Sequence, residues 1–319
     1  MRRTRRRRRG VYIPPVLLLV PVLAAALLLG SRFLRPEGGG LAFADGIPGL
    51  SAVGIRKAED DRPGYVRAEL GEDAVHTGEL ILVNNWTLYR FPEEQPLACV
   101  FDGKSDSYYV RDREVFLAPV ALETLNGMMD AFRAQGGSKT VNVVAGYRTE
   151  DFQQHLFDQS AEQNGEDHAQ RFVAQPGGSE HHTGLAVDLS LFFTDGSSAE
   201  YEGDGEYVWI NQNCQNYGWV VRYDKAKEAI TGIGDEPWHF RYVGIPHATV
   251  MAEKGFCLEE YIDYLKGFSY DGQHLTVDCV DGLYEIWYCA GTAAYLPESG
   301  EYTVSGNNVD GLVVTRRAD

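Results

Sequence analysis

The 319-residue sequence has only five cysteines (Cys99, Cys214, Cys257, Cys279 and Cys289), and none falls in a CxxC pair or any other zinc-ribbon spacing. That excludes a structural zinc built from thiolates. None of the five is placed like a nucleophile with a nearby histidine, so thiol catalysis is excluded as well. No internal repeat is present, and solenoid architectures go with it. Acidic residues are missing from residues 1–36, which carry nine basic ones, and charge of either sign is missing from residues 11–30, VYIPPVLLLVPVLAAALLLG. With the nine set aside, 20 basic residues face 46 acidic ones, a net charge of −26. A domain of that sign does not bind nucleic acid or an anionic membrane surface through bulk electrostatics.

The uncharged run covers 20 residues. At about 1.5 Å rise each, a helix of that length spans a hydrocarbon core of roughly 30 Å. Pro14, Pro15 and Pro21 bend or stagger its start, which membrane helices tolerate. Arg2, Arg3 and Arg5 to Arg9 precede it and hold the amino end in the cytoplasm. An uncleaved signal anchor is expected rather than a cleavable signal peptide, whose apolar region is shorter; Ala42-Phe43-Ala44 has the A-x-A form but lies well past the run. Either reading exports the remainder, where cysteine pairing is permitted. Cys279 and Cys289 flank the turn signal Asp281-Gly282 and are candidates for a pair across one hairpin.

The expected organisation is a cytoplasmic tail (1–10), a transmembrane anchor (11–30), a Gly/Pro-rich stalk (31–75), a catalytic domain (76–268) and a small all-β appendage (269–319). Short strands interspersed with helices read as an α+β fold. Strand candidates are Glu79 to Asn84, Tyr108 to Arg111, Val115 to Leu117, Val141 to Ala145, Gly184 to Ser190, Trp219 to Arg222 and Trp238 to Val243. Leu122, Leu125, Met128, Met129 and Phe132 recur at helical spacing. Thr149 caps a helix whose apolar face is Phe152, Leu156 and Phe157. Residues 161–180 read as a loop, Tyr207 to Tyr217 as a helix closed by Gly218, and Leu258 to Leu265 as a final helix.

Chemistry concentrates in Ser179-Glu180-His181-His182-Thr183-Gly184-Leu185-Ala186-Val187-Asp188 and in Glu236-Pro237-Trp238-His239. Two imidazoles and one carboxylate leave an open position on a tetrahedral zinc, the pattern of a catalytic site. A spare carboxylate, Glu236, is what such a site needs to take a proton from water. Of the adjacent His181 and His182 only one can face a metal, and spacing leaves the choice open. His76, His155, His168, His247 and His274 read as ordinary core or surface groups. Trp238 reads equally as core or as substrate contact. Arg222 and Arg241 read equally as carboxylate binders or as partners of local acids.

The pattern S-x-H-x-x-G-x-A-x-D at Ser179, His181, Gly184, Ala186 and Asp188, E-P-W-H at Glu236 to His239, and Gly146-Tyr147-Arg148 upstream resemble the VanY-type zinc D-alanyl-D-alanine carboxypeptidases of the M15 peptidase group. The resemblance runs over roughly residues 79 to 265; Thr149 and Trp219 stand where Ser and Phe are usual. It implies a hedgehog/DD-peptidase-like fold and one zinc ion per chain held by His181, Asp188 and His239. It further implies Glu236 as general base, Arg148 facing the developing oxyanion, and Gln153 and Ser179 lining the substrate pocket. The implied substrate is a peptidoglycan stem peptide or its lipid-linked precursor, met at the outer face of the membrane. A D,D-dipeptidase or L,D-endopeptidase is the alternative within this chemistry, and a non-catalytic zinc-stabilised binding module is the alternative outside it.

Overall fold

The computed structural model describes residues 63–318. The cytoplasmic tail, the apolar run 11–30 and most of the stalk lie outside the described residues. No helix among the described residues is long and apolar enough to cross a membrane.

The strand Ala186–Phe192 is the axis of a mixed sheet. On one side it pairs antiparallel with Val141–Ala145, which is itself flanked by a short parallel strand, Tyr109–Val110. On its other side two strands follow one another. Glu236–Tyr242 pairs with its first half, placing His239 opposite Asp188, and Ser198–Glu200 pairs with its second half, placing Glu200 opposite Ser190. Trp219–Tyr223 closes the sheet beyond Glu236–Tyr242. Alternation divides the side chains by face. Val187, Leu189 and Leu191 join Val141, Val143 and Phe240 in the core, leaving Asp188, Ser190 and His239 for the opposite face.

The helix Pro119–Ala134 covers the core face, and its inward residues are the five predicted by periodicity together with Ala121. Proline at its first position costs no hydrogen bond there, because that amide has no helical partner. Trp219 is fully buried and donates its indole N–H to Thr124 Oγ1 at 3.0 Å. Fixing that donor removes the penalty for burying it.

The carboxyl-terminal residues form a four-stranded antiparallel sheet in the order Leu275–Cys279, Gly282–Ala290, Gly311–Arg317, Tyr302–Gly306. A separate two-stranded sheet beside it draws on residues from before the catalytic part. Tyr65–Glu69, read from sequence as the end of the stalk, pairs with Ala293–Pro297, and Glu72–Val75 is a short helix. Val277, Ile286 and Val313 pack on Leu258, Tyr261 and Ile262, giving this sheet and the neighbouring helices one shared core. His247, on the helix Ile245–Lys254, bridges Tyr261 Oη at 2.8 Å and Thr315 Oγ1 at 3.0 Å across that junction.

Several sequence expectations are corrected. Leu80 to Val83 is buried but forms no strand. Its polar backbone is met instead by Ser305 Oγ, the Asn307 carbonyl, Asn308 Nδ2 and Arg241. Residues Glu166–Phe172 are helical, and 207–217 breaks into a short α-helix, Val208–Asn213, between 3₁₀ turns. Phe152 is half exposed, and the helix Glu150–Asn164 turns Gln153 inward. All five cysteines are free thiols. Cys279 and Cys289 pack into clusters on opposite faces of their sheet, out of reach of one another.

Candidate active site

Two glycines shape the backbone around the site. After Val141–Ala145 the chain passes Gly146, where an added Cβ would meet the Phe116 carbonyl oxygen at 2.2 Å. That close passage sets Arg148, whose amide donates to the His181 carbonyl at 3.1 Å. The 3₁₀ turn Glu180–Thr183 ends at Gly184 in the left-handed region, φ 70°. Only glycine enters that region without steric cost, and a Cβ there would also lie 3.1 Å from the Ala118 amide. The reversal starts the strand that brings Asp188 back beside His181.

His181 Nε2 lies 3.2 Å from Asp188 Oδ2, and His239 Nδ1 lies 2.9 Å from Asp188 Oδ1. The three ligand atoms all fall within 4.8 Å of one another. A tetrahedral zinc with bonds near 2.1 Å places its donors about 3.4 Å apart, and the two carboxylate–imidazole separations, 3.2 and 2.9 Å, lie close to that spacing. The remaining ring nitrogens are engaged too: His181 Nδ1 with the Gly146 carbonyl at 2.6 Å, and His239 Nε2 with Glu180 Oε2 at 3.3 Å. Such outer partners fix which nitrogen is free for a metal.

His182 points elsewhere. Its Nε2 accepts from the Gly177 amide at 3.1 Å, so its Nδ1 donates to the Arg148 carbonyl at 2.8 Å. Both of its nitrogens serve the backbone.

Arg148 reaches Asp188 Oδ2 at 2.6 Å and Gln153 Oε1 at 3.4 Å. Gln153 also donates to the Ala174 carbonyl at 2.9 Å. Glu236 Oε2 stands 4.0 Å from His239 Nδ1 without ligating position of its own. Arg148, Gln153, Ser179, His181, Asp188, Glu236 and His239 line one cavity of about 260 Å³, with Phe172, Val173 and Ile233 as its apolar wall. Gln153 and Ser179 are almost wholly buried. Trp238 packs on the core and lines this cavity.

Burial raises Glu236 to about 7, with His239 opposing and Asp188 reinforcing the shift. A carboxyl poised there can both accept and return a proton near neutral pH. Burial alone would depress His239, but the hydrogen bonds its ring donates to the Asp188 and Glu180 carboxylates overcome it and hold it at about 9. His181 goes the other way, to about 4, through burial and the Arg148 charge.

Glu180, Arg222 and Arg241 are the functional neighbours that sequence reasoning left unassigned. All three side chains are fully buried, with Arg222 Nε 2.8 Å and Arg241 Nη1 3.0 Å from Glu180 Oε1. Burial would raise the Glu180 carboxyl, but the two guanidiniums outweigh it and keep it far below the usual range. The signal was present in Val-Val-Arg222-Tyr and His-Phe-Arg241-Tyr, where a charge sits inside an apolar strand. A buried charge needs a buried partner.

Residues 114–245 match the VanY family, described as D-alanyl-D-alanine carboxypeptidase. A D-alanyl-D-alanine carboxypeptidase of Enterococcus faecium is 31% identical over 254 residues, covering 76% of this chain and 77% of that protein. The bifunctional D-Ala-D-Ala dipeptidase and D-Ala-D-Ala carboxypeptidase VanXYC of Enterococcus gallinarum is 39% identical over 165 residues, 48% of this chain and 81% of its own. Among solved structures, the vancomycin resistance D,D-dipeptidase VanXYg in complex with a D-Ala-D-Ala phosphinate analog superposes with a TM-score of 0.71 at 33% identity, over 79% of this chain and 99% of that one. This chain belongs to the VanY family of D-alanyl-D-alanine carboxypeptidases.

Proposed function

We propose that this chain is a membrane-anchored zinc carboxypeptidase that removes the terminal D-Ala from peptidoglycan stem peptides at the outer face of the membrane. The observation that carries the reading is Glu236, a buried carboxyl held at about 7 beside a three-donor metal site. A metal that merely stabilised a binding module would need neither that group nor Arg148.

His181, Asp188 and His239 would hold one zinc ion, which when bound supplies Lewis-acid stabilisation to the scissile carbonyl and acidifies water. Glu236 takes the proton from the attacking water and delivers it to the amine of the departing D-Ala. Arg148 presents a fixed guanidinium to the negative charge that develops on the carbonyl oxygen. Gln153 and Ser179 receive the terminal D-Ala in the cavity.

The apolar run 11–30 would tether the chain, with its amino end cytoplasmic and the catalytic part outside. Alkaline carbonate extraction of membranes tests this: an anchored chain stays in the pellet, and release into the supernatant refutes the anchor.

Specificity is tested by offering the full-length chain a stem pentapeptide ending in D-Ala-D-Ala and, separately, free D-Ala-D-Ala. Release of one D-Ala from the pentapeptide establishes the carboxypeptidase. Cleavage of the free dipeptide alone would make it a dipeptidase, and an internal cut an endopeptidase.

A further inference from the structure

Residues 76–97 form no helix or strand, yet they bond to the loop that walls the catalytic cavity. That loop runs from Ala174 to Ser179, and both of these residues line the cavity. Asn85 Oδ1 accepts from the Gln175 amide at 3.0 Å, and the Tyr89 amide donates to the Gly177 carbonyl at 2.7 Å. Tyr89 and Phe91 also set their rings against His182. The two nitrogens of His182 in turn carry the Gly177 amide and the Arg148 carbonyl. The cavity wall is thus fixed in part by a segment with no ladder of its own.

An irregular segment keeps its shape only where its polar backbone is met from elsewhere. Here residues 305–308, in the carboxyl-terminal part, meet much of it. Ser305 Oγ accepts from the Leu80 amide at 2.9 Å, and the Asn307 carbonyl accepts from the Leu82 amide at 3.1 Å. Asn308 Nδ2 donates to the carbonyls of both Leu82 and Leu88, at 2.8 and 3.1 Å. It therefore clasps the two sides of the bend at 84–87, which the Asn84 amide closes on the Thr87 carbonyl at 3.0 Å. Asn308 is also the one non-glycine residue among those described in the left-handed region, φ 60°. A side chain there costs energy, though less for asparagine than for most. Its surroundings hold it in place: its amide donates to the Val75 carbonyl and its Oδ1 meets His76 Nδ1, each at 2.7 Å. Backbone held in sparse regions clusters where a function needs fixed geometry.

We propose that Asn308 is a positioning residue for the carboxypeptidase site, the point through which residues 269–319 hold the cavity wall at 174–178. The inference rests on the carboxypeptidase reading and gives the carboxyl-terminal sheet a part in it. Asn308 does not line the cavity; it acts through residues 82–89. Without its side chain two carbonyls lose their donor and the bend is freed, so Gln175 and Gly177 lose fixed partners. Substrate binding suffers before chemistry does, because Asp188, Glu236 and His239 stand on paired strands that are bonded independently.

The test compares wild type with Asn308→Gly, which keeps the backbone conformation and deletes the clasp, in the full-length zinc-loaded chain. KM for a stem pentapeptide ending in D-Ala-D-Ala is expected to rise about ten-fold, the scale of one or two hydrogen bonds. Zinc content and kcat are expected to stay nearly unchanged. Amide exchange is expected to quicken at 84–89 and 174–178 while Ala186–Phe192 stays protected. Asn85→Ala, at the other end of the same link, is expected to raise KM as well, and the double variant to raise it by less than the product of the two. Thr315→Val cuts another tie across the junction and is expected to lower the melting temperature without moving KM. Should Asn308→Gly not fold, Asn308→Asp keeps the left-handed preference and removes the donor, and the same comparison of KM decides. An unchanged KM, or single effects that multiply in full, would overturn the positioning role while leaving the carboxypeptidase intact. Exchange that quickens equally in Ala186–Phe192 would show a general loosening and overturn it too. A wild type that releases no D-Ala would overturn the reading beneath it, and the positioning role with it.

Discussion

Glu180 Oε2 lies 3.3 Å from His239 Nε2, while the opposite ring nitrogen, Nδ1, lies 2.9 Å from Asp188 Oδ1. One imidazole thus links the metal site to a buried carboxylate that Arg222 and Arg241 clamp in place. The carboxylate orients the ring and makes its free nitrogen a better donor to a cation.

That link is testable at Glu180. Glu180→Gln keeps the shape but removes the charge, and it is expected to weaken zinc affinity by about ten- to a hundred-fold in a chelator competition titration. Glu180→Ala leaves the buried Arg241 without its ion-pair partner, while Arg222 keeps Glu259 at 2.8 Å, and is expected to destabilise the fold by about 3–5 kcal/mol. Zinc affinity unchanged in the Gln variant would show that His239 is oriented by its packing alone.

Glu236 and His239 are expected to separate chemistry from metal binding. Glu236→Gln lowers kcat by about 10² to 10⁴ with zinc still bound one to one. His239→Ala loses the metal itself. Atomic absorption on the two purified variants beside their turnover numbers checks both, and comparable zinc loss from the two would refute the division.

The pH profile follows from Glu236. A general base must be ionised, so activity falls as pH drops through its pKa. Burial raises that pKa to about 7, and the charge of a bound cation pulls it back down. The acidic limb of kcat/KM is therefore expected between the ordinary carboxylate range and about 7. A rate flat down to pH 4 would contradict the assignment.

Stability below neutrality depends on His247, which burial depresses to about 3. Its unfolded value is near 6.5, so between those limits the unfolded chain binds a proton that the folded chain does not. Stability is fully present above 6.5 and falls with decreasing pH, by up to about 1.4 kcal/mol per pH unit for this one group. His247→Gln is expected to show a shallower loss of melting temperature between pH 6.5 and 5. An identical slope in both proteins would exclude the histidine.

Much of the site was legible because its residues lie in two compact segments whose local geometry follows from sequence. The glycine at 184 announces the reversal, and period-two alternation puts Asp188 and His239 on the face away from the core. Periodicity found the core helix for the same reason, since its five apolar residues share one stripe. What was missed depends on distant partners. Nothing local says that Tyr65–Glu69 pairs with Ala293–Pro297, or that Leu80 to Val83 is satisfied by side chains and a distant turn. The helix at Gln153 misled because its inward residue is polar, facing the site rather than the core.

The central claim is tested most directly by following D-Ala release from a stem pentapeptide in one preparation of the full-length chain through zinc removal and zinc return. Mass spectrometry of the products is expected to show loss of a single D-Ala with zinc present. With chelator, release should stop, and it should recover as one equivalent of zinc is restored. Release that continues in fully stripped protein, or an intact pentapeptide with one zinc bound per chain, would contradict the account.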